Sequence, residues 1–218
     1  MFDLILNCIF YGFLTAFWVA IFFAGRAVVR GIRSRRYGRS TGFCFVVCGL
    51  LWAGLHMGLT PGASAYARYR YTHDLFGRSF ALSSPRLSYY SSRDFHGDGY
   101  SIEVFKTSET LSRWASSPPA DFTATYPVRP SYRSHWSGVH WRQTPISADD
   151  RKFLEFALSE HAGGSDLKAA KELLERLANE PGHYFAYFYY MHEEHVGDLD
   201  FFLLSPSKRV FILVNSNT

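Results

Sequence analysis

Two short stretches hold the residue types that do acid–base or metal chemistry. One is His96-Gly97-Asp98-Gly99 within "RDFHGDGYSIEVFK" (93–106), and the other is His192-Glu193-Glu194-His195 with Asp198 and Asp200 within "MHEEHVGDLD" (191–200). In the first, a histidine two residues from an aspartate is a minimal base with an orienting carboxylate, but no Gly-x-Ser-x-Gly elbow or cysteine accompanies it. Gly97 and Gly99 accept positive φ without steric cost, and Asp-Gly ahead of an alternating run opens a hairpin or strand, so a bend is the expected role. In the second, two histidines among carboxylates are a zinc-type donor set. The spacing His-Glu-Glu-His is neither His-Glu-x-x-His nor His-x-x-Glu-His, in which one helix face carries the ligands. The expected role is a solvated acidic turn or a loop that contacts a partner protein through Glu193, Glu194, Asp198 and Asp200. The alternative is a hydrolase or metal-dependent enzyme using His96, Asp98, His192 and His195. No catalytic residue, metal or cofactor is expected.

The elements that must position these residues read clearly in places. Strands are expected over 86–92, 98–106, 136–146, 183–192, 198–205 and 209–215; in 98–106, Tyr100, Ile102 and Val104 alternate with Ser101, Glu103 and Phe105. Helices are expected over 107–116, over 147–161 with a capping box-like Ser147 and Asp150, and over 165–180 with a stripe of Leu167, Ala170, Leu174 and Leu177. The proline-rich 116–130 reads as a loop. Together these predict one α+β domain over 64–218, an antiparallel sheet with two or three helices on one face.

The N-terminus predicts something different. Residues 4–24 carry no charge and include twelve Leu, Ile, Phe or Val. A helix of that length rises about 30 Å, and those twelve favour insertion by about 4–7 kcal/mol. A second apolar stretch covers about 43–60, and the two predict a transmembrane hairpin over 1–63. The loop 25–41 between them has Arg26, Arg30, Arg33, Arg35, Arg36 and Arg39 and no acid, which places it in the cytoplasm and both the N-terminus and 64–218 outside. A signal peptide read from "SRRYG" (34–38) through "GASAYAR" (62–68), cleaved after Ala-x-Ala, is the rival reading. Gly12, Ala16, Ala20 and Ala24 line one helix face and Gly54 and Gly58 another, the spacing that lets helices approach closely in lipid; His56 stands between those glycines. Tyr66, Tyr69 and Tyr71, interleaved with Arg68 and Arg70, read as a membrane-surface collar.

The arginine loop also explains the basic balance. Of 23 Lys+Arg six are in it, while residues beyond 63 carry 17 basic and 18 acidic side chains. The charge belongs to topology, and a nucleic-acid partner is not expected. Within the exported part, residues 64–145 carry a balance of +4 and 146–218 of −5. All three cysteines, Cys8, Cys44 and Cys48, fall in the expected membrane helices, so the exported part folds without disulfides.

"DFHGDGYSIEVFK" and the aromatic ending "YFAYFYYMHEEHVGDLDFFLLSPSKRVFILVN" resemble a loose group of exported bacterial proteins with a Gly-Asp-Gly turn before an early strand and a Tyr/Phe-rich last hairpin. The tethered layout is similar to that of immunity proteins, which neutralise an antibacterial toxin in the envelope. The expected function is therefore a non-enzymatic periplasmic domain, anchored in the bacterial inner membrane, that binds a protein partner such as a toxin. An accessory subunit held through the small-residue helix faces is a further alternative.

Overall fold

The structure is a computed structural model that describes Arg26 and residues 60–92, 98–160 and 163–217. The expected membrane helices lie outside the described residues except at Thr60, and with them Gly12, Ala16, Ala20, Gly54, Gly58, Arg30, Arg33, Arg35, Arg36 and Arg39. Arg26 is helical and exposed. Among the described residues no helix is long and apolar enough to cross a membrane. The chain divides into two compact units, Met1–Ala67 and Arg68–Thr218, and the sheet belongs to the second.

Helix α1 (Thr60–Phe76) leads into β1 (Leu87–Tyr90) and β2 (Gly99–Lys106), then α2 (Glu109–Ser116) and α3 (Asp121–Thr125). A 3₁₀ turn (Ser131–Arg133) precedes β3 (Ser137–Gln143), and α4 (Arg151–Ala157) and α5 (Ser165–Asn179) precede β4 (Tyr184–His192), β5 (His195–Ser205) and β6 (Val210–Asn217). The six strands form one antiparallel sheet in the order β1-β2-β6-β5-β4-β3. This is an α+β fold.

Strands β4, β5 and β6 are apolar at consecutive positions because both of their faces are covered. Ile102, Val104, Phe185, Tyr187, Leu199, Phe201, Leu203, Ile212 and Val214 meet α4 and α5 on the first face. Phe105, Ala186, Phe188, Phe202, Leu204 and Phe211 meet Leu75 and Phe76 of α1, Leu111 and Ala115 of α2 and Phe122 of α3 on the second. The alternation read in residues 98–106 holds: Tyr100, Ile102 and Val104 face one core and Phe105 the other. Helices cover both faces of the sheet, where the sequence predicts one. Part of the second layer was hidden in residues 65–74, read as a collar, and in 116–130, read as a loop.

Local chemistry sets the helix boundaries. Ser108 caps α2, its Oγ accepting from Leu111 N at 3.1 Å. Ser147 Oγ accepts from Asp150 N at 3.3 Å, and α4 starts only after that turn. The apolar stripe of α5 runs from Leu167 to Ala178 and ends ahead of Pro181 and Gly182, the latter at φ +89°. On the second face Thr72 Oγ1 accepts from Phe80 N at 2.8 Å, and Trp141 Nε1 donates to the Leu75 carbonyl at 2.7 Å, which ties α1 to β3.

Candidate protein-binding face

β3 is an edge strand, and the segment leading to it has a long acid-free composition. From Phe122 to Ala148 the chain has no Asp or Glu but has Arg129, Arg133, His135, His140 and Arg142, with Tyr126, Tyr132, Trp136 and Trp141 among them. Pro127 and Pro130 keep the segment out of a helix, and Trp141 N donates to the Tyr126 carbonyl at 2.9 Å, so 126–128 runs beside the outer edge of β3.

The sheet supplies the anchor. Tyr90, Ser101, Asn215, Asp200, Phe188 and Gly138 stand in one row across all six strands. Period-two alternation puts that row on the second face, one step out from the apolar Phe202 and Ala186. Asp200 is buried there; its carboxylate accepts from Arg133 through one oxygen and from Asn215 Nδ2 at 2.6 Å through the other. The Arg133 guanidinium lies 3.9 Å from the centre of the Trp136 ring, so it is held between a carboxylate and an indole face. This clamp fixes the 3₁₀ turn and with it Tyr132, which is 74% exposed.

Aromatic rings continue along the surface. His135 meets Tyr190 edge-on at 5.2 Å, and Tyr190 meets His192 edge-on at 4.9 Å. At the other side, Pro127, Val128, Arg129, Gly138, His140 and Phe188 line a depression of about 300 Å³. Arg129 Nη1 donates to the Trp136 carbonyl, while the His140 ring has no hydrogen-bond or ionic partner among the described residues. The arrangement offers aromatic area, fixed cations and a shallow apolar floor.

The residues singled out in the sequence are distributed differently. Glu193 and Glu194 are exposed at the tip of the β4–β5 hairpin, where Glu193 adopts φ +54°. Asp198 is half-buried on β5 opposite Tyr190 and Asn217, and Asp200 belongs to the buried clamp; the acidic loop therefore comprises two of the four expected carboxylates. His192 and His195 are exposed and opposite one another, but the His192 ring occupies the space over Gly197, where a Cβ would come within 1.6 Å of its Cδ2. Asp98 precedes β2 at the same end of the sheet; Gly99, Asn217 and Asp198 share a row, about 10 Å across two strand spacings. His96 and Gly97 lie outside the described residues. Among the described residues no three His, Cys, Asp or Glu side chains are grouped to hold a metal ion.

A second polar network sits on the first face. The Asp150 carboxylate accepts from Tyr187 Oη at 2.6 Å, Ser147 Oγ at 2.7 Å and Arg142 Nη1 at 3.1 and 3.0 Å. Burial alone pushes this carboxyl up, but the Tyr187 and Ser147 hydrogen bonds and the Arg142 charge outweigh it and hold it below the usual range. Burial, then the bond to Asp150, pushes the Tyr187 phenol up. On the edge strand β1, burial and a hydrogen bond to Glu103 push the exposed Tyr90 phenol up to about 12. Between the end of α4 and α5 a wider depression of about 490 Å³ mixes Lys168 and Lys171 with Glu160, Glu172 and Glu175, so it favours neither sign of charge.

Sequence reading missed Tyr132, Arg133, Arg129 and His140. The signal was available as the acid-free run, but it crosses a predicted loop and a predicted strand and so was divided between them. No protein-family model, curated protein or solved structure matches this chain.

Proposed function

We propose that this chain is a membrane-tethered protein-binding protein. The apolar stretches over 4–24 and 43–60 form the anchor, the arginines between them hold the loop in the cytoplasm, and the unit Arg68–Thr218 presents the β3 face to a protein partner outside. The observation that carries the reading is the exposure of Tyr132 at 74% and Val128 at 45% beside clamped arginines, in a surface segment with no acid. Tyr, Trp and Arg are the residues enriched in interface cores, and a clamped arginine costs little ordering entropy on binding. In a bacterial envelope the role that fits a tethered, cysteine-free binding domain is that of an immunity factor against an envelope toxin.

The test uses the full chain, crosslinked in its native membrane, purified in mild detergent and examined by mass spectrometry. One stoichiometric protein partner is expected, lost from Tyr132→Glu and Val128→Asp, and a toxin among the neighbouring gene products makes the immunity role specific. A partner that both variants retain undiminished overturns the β3 face. A partner lost only from Gly54→Leu with Gly58→Leu assigns the chain to helix-mediated assembly instead.

A further inference from the structure

The depression beside β3 identifies the chemistry of what binds there, given the protein-binding reading. A Cβ on Gly138 would lie 2.8 Å from Phe188 Cδ1, so a glycine there lets the strand pack against the buried Phe188 ring, whose edge forms the floor. Pro127 and Val128 form an apolar wall. At about 300 Å³ the space is at the low end for small-molecule sites, the size for one large side chain of a peptide.

The rim carries Arg129 and His140. Arg129 is held by its bond to the Trp136 carbonyl, and one such bond leaves most of the five guanidinium N–H donors unused. His140, beside it on the strand, has an unpartnered ring among the described residues that donates through either nitrogen. Carboxylates on neighbouring elements have other partners: Asp74, whose carbonyl accepts from Val128 N, lies 3.8 Å from His73, Asp200 binds Arg133 and Asn215, and Asp150 binds Arg142, Tyr187 and Ser147. Among the described residues none of these forms an ion pair with Arg129 or His140, and no acid occurs between Phe122 and Ala148. Charge complementarity therefore has to come from the occupant.

We infer that the β3 depression takes an acidic, extended segment of the partner protein, with a carboxylate on Arg129 and His140 and an adjacent apolar side chain on Phe188. Carboxylate–guanidinium pairs of this type are charge-assisted and orient the segment, and the apolar neighbour supplies the buried area. The same geometry disfavours a basic segment, whose charges would face the Arg129 guanidinium.

The test is fluorescence anisotropy with the full chain in non-ionic detergent micelles and rhodamine-labelled pentapeptides Gly-Glu-Phe-Glu-Gly, Gly-Gln-Phe-Gln-Gly and Gly-Lys-Phe-Lys-Gly. The acidic peptide is expected to bind at least about 10-fold more tightly than the glutamine peptide. Arg129→Gln with His140→Gln should abolish that preference, and Glu193→Gln should leave it intact. His140→Gln alone changes an exposed, unpartnered side chain and guards against loss of folding; it should remove part of the preference. Equal binding of the three peptides, no binding of the acidic one, or a preference that survives the double variant overturns the inference. So does displacement by free phenylacetate at the same concentration as the unlabelled peptide, which would make the ligand a small carboxylate. Self-association of the chain that the double variant dissolves would make the occupant a second copy. None of these outcomes touches the capture test at Tyr132 and Val128, so the broader reading stands or falls separately.

Discussion

Asp150 and Asp200 are both buried carboxylates bound by an arginine, on opposite faces of the same sheet, and they do different work. At Asp150 three donors converge from Ser147, Tyr187 and Arg142, while Arg142 itself is 55% exposed and returns to water if released. At Asp200 the dependence is reversed. Arg133 is 15% exposed, lies against Trp136, and has that carboxylate as its counter-charge. The first site closes a helix-covered face and belongs to architecture. The second joins the sheet to a surface turn that carries Tyr132, so the fold's stability is coupled there to the shape of the candidate face.

The comparison can be broken most severely at Asp200. Asp200→Ala leaves a largely buried guanidinium without its counter-charge, which costs about 3–5 kcal/mol. Adding Arg133→Met removes the orphaned charge and should restore most of that loss while keeping an apolar side chain against Trp136. Denaturant unfolding of the full chain in micelles, followed by tryptophan fluorescence, measures both. An Asp200→Ala protein as stable as the parent would mean that Arg133 escapes to solvent and that the clamp is loose.

Asp150→Asn should cost less, about 1–3 kcal/mol, because the amide still accepts from Tyr187 and Arg142 can re-solvate. This change also sharpens the comparison through pH. The folded carboxyl is held below its unfolded value near 3.9, so its contribution is complete above about pH 4 and is lost as pH falls further. The stability gap between the parent and Asp150→Asn should therefore narrow below pH 4. At the alkaline end the Tyr187 phenol is raised, so its contribution is complete below about pH 10 and lost above it. A gap that stays constant from pH 3 to pH 7 would show that Asp150 is no better solvated by its partners than by water.

How much of this was legible follows from the range of the physics involved. Strand β5 was readable because Leu199, Phe201 and Leu203 alternate with Phe202 and Leu204 in an unbroken apolar run, and α5 because its stripe has the helical period. Those signals are local. Asp200 was misplaced because the pattern His-Val-Gly-Asp-Leu-Asp looks polar and turn-like; only the register opposite Asn215 and Phe188, and an arginine far along the chain, reveal it as buried. The second helical layer was missed for a related reason. Tyr71 and Arg68 read as interfacial in isolation, yet Tyr71 packs edge-on against Phe202 at 6.4 Å. The candidate face is the extreme case, since its composition was visible but its assembly from an edge strand, a 3₁₀ turn and the end of β4 depends wholly on topology.

The smallest expected effect on stability gives the cleanest contrast between the two faces. Tyr132→Ala truncates a ring that is 74% exposed, so unfolding should shift by no more than about 0.5 kcal/mol. If the β3 face binds the partner, the same substitution should cost about 2 kcal/mol or more of binding, roughly a 30-fold rise in Kd, because exposed tyrosines at the centre of an interface are frequent hot spots. Glu193→Lys is its counterpart at the hairpin tip, also exposed and outside both core clusters. With the β3 face as the contact, Glu193→Lys changes affinity little, or strengthens steering toward an acidic partner. Should Glu193→Lys abolish binding while Tyr132→Ala leaves it intact, the acidic turn is the contact surface and the partner must be basic. The two variants predict opposite charges for the same unknown protein, so measuring both against one captured partner decides between them even before the partner is identified.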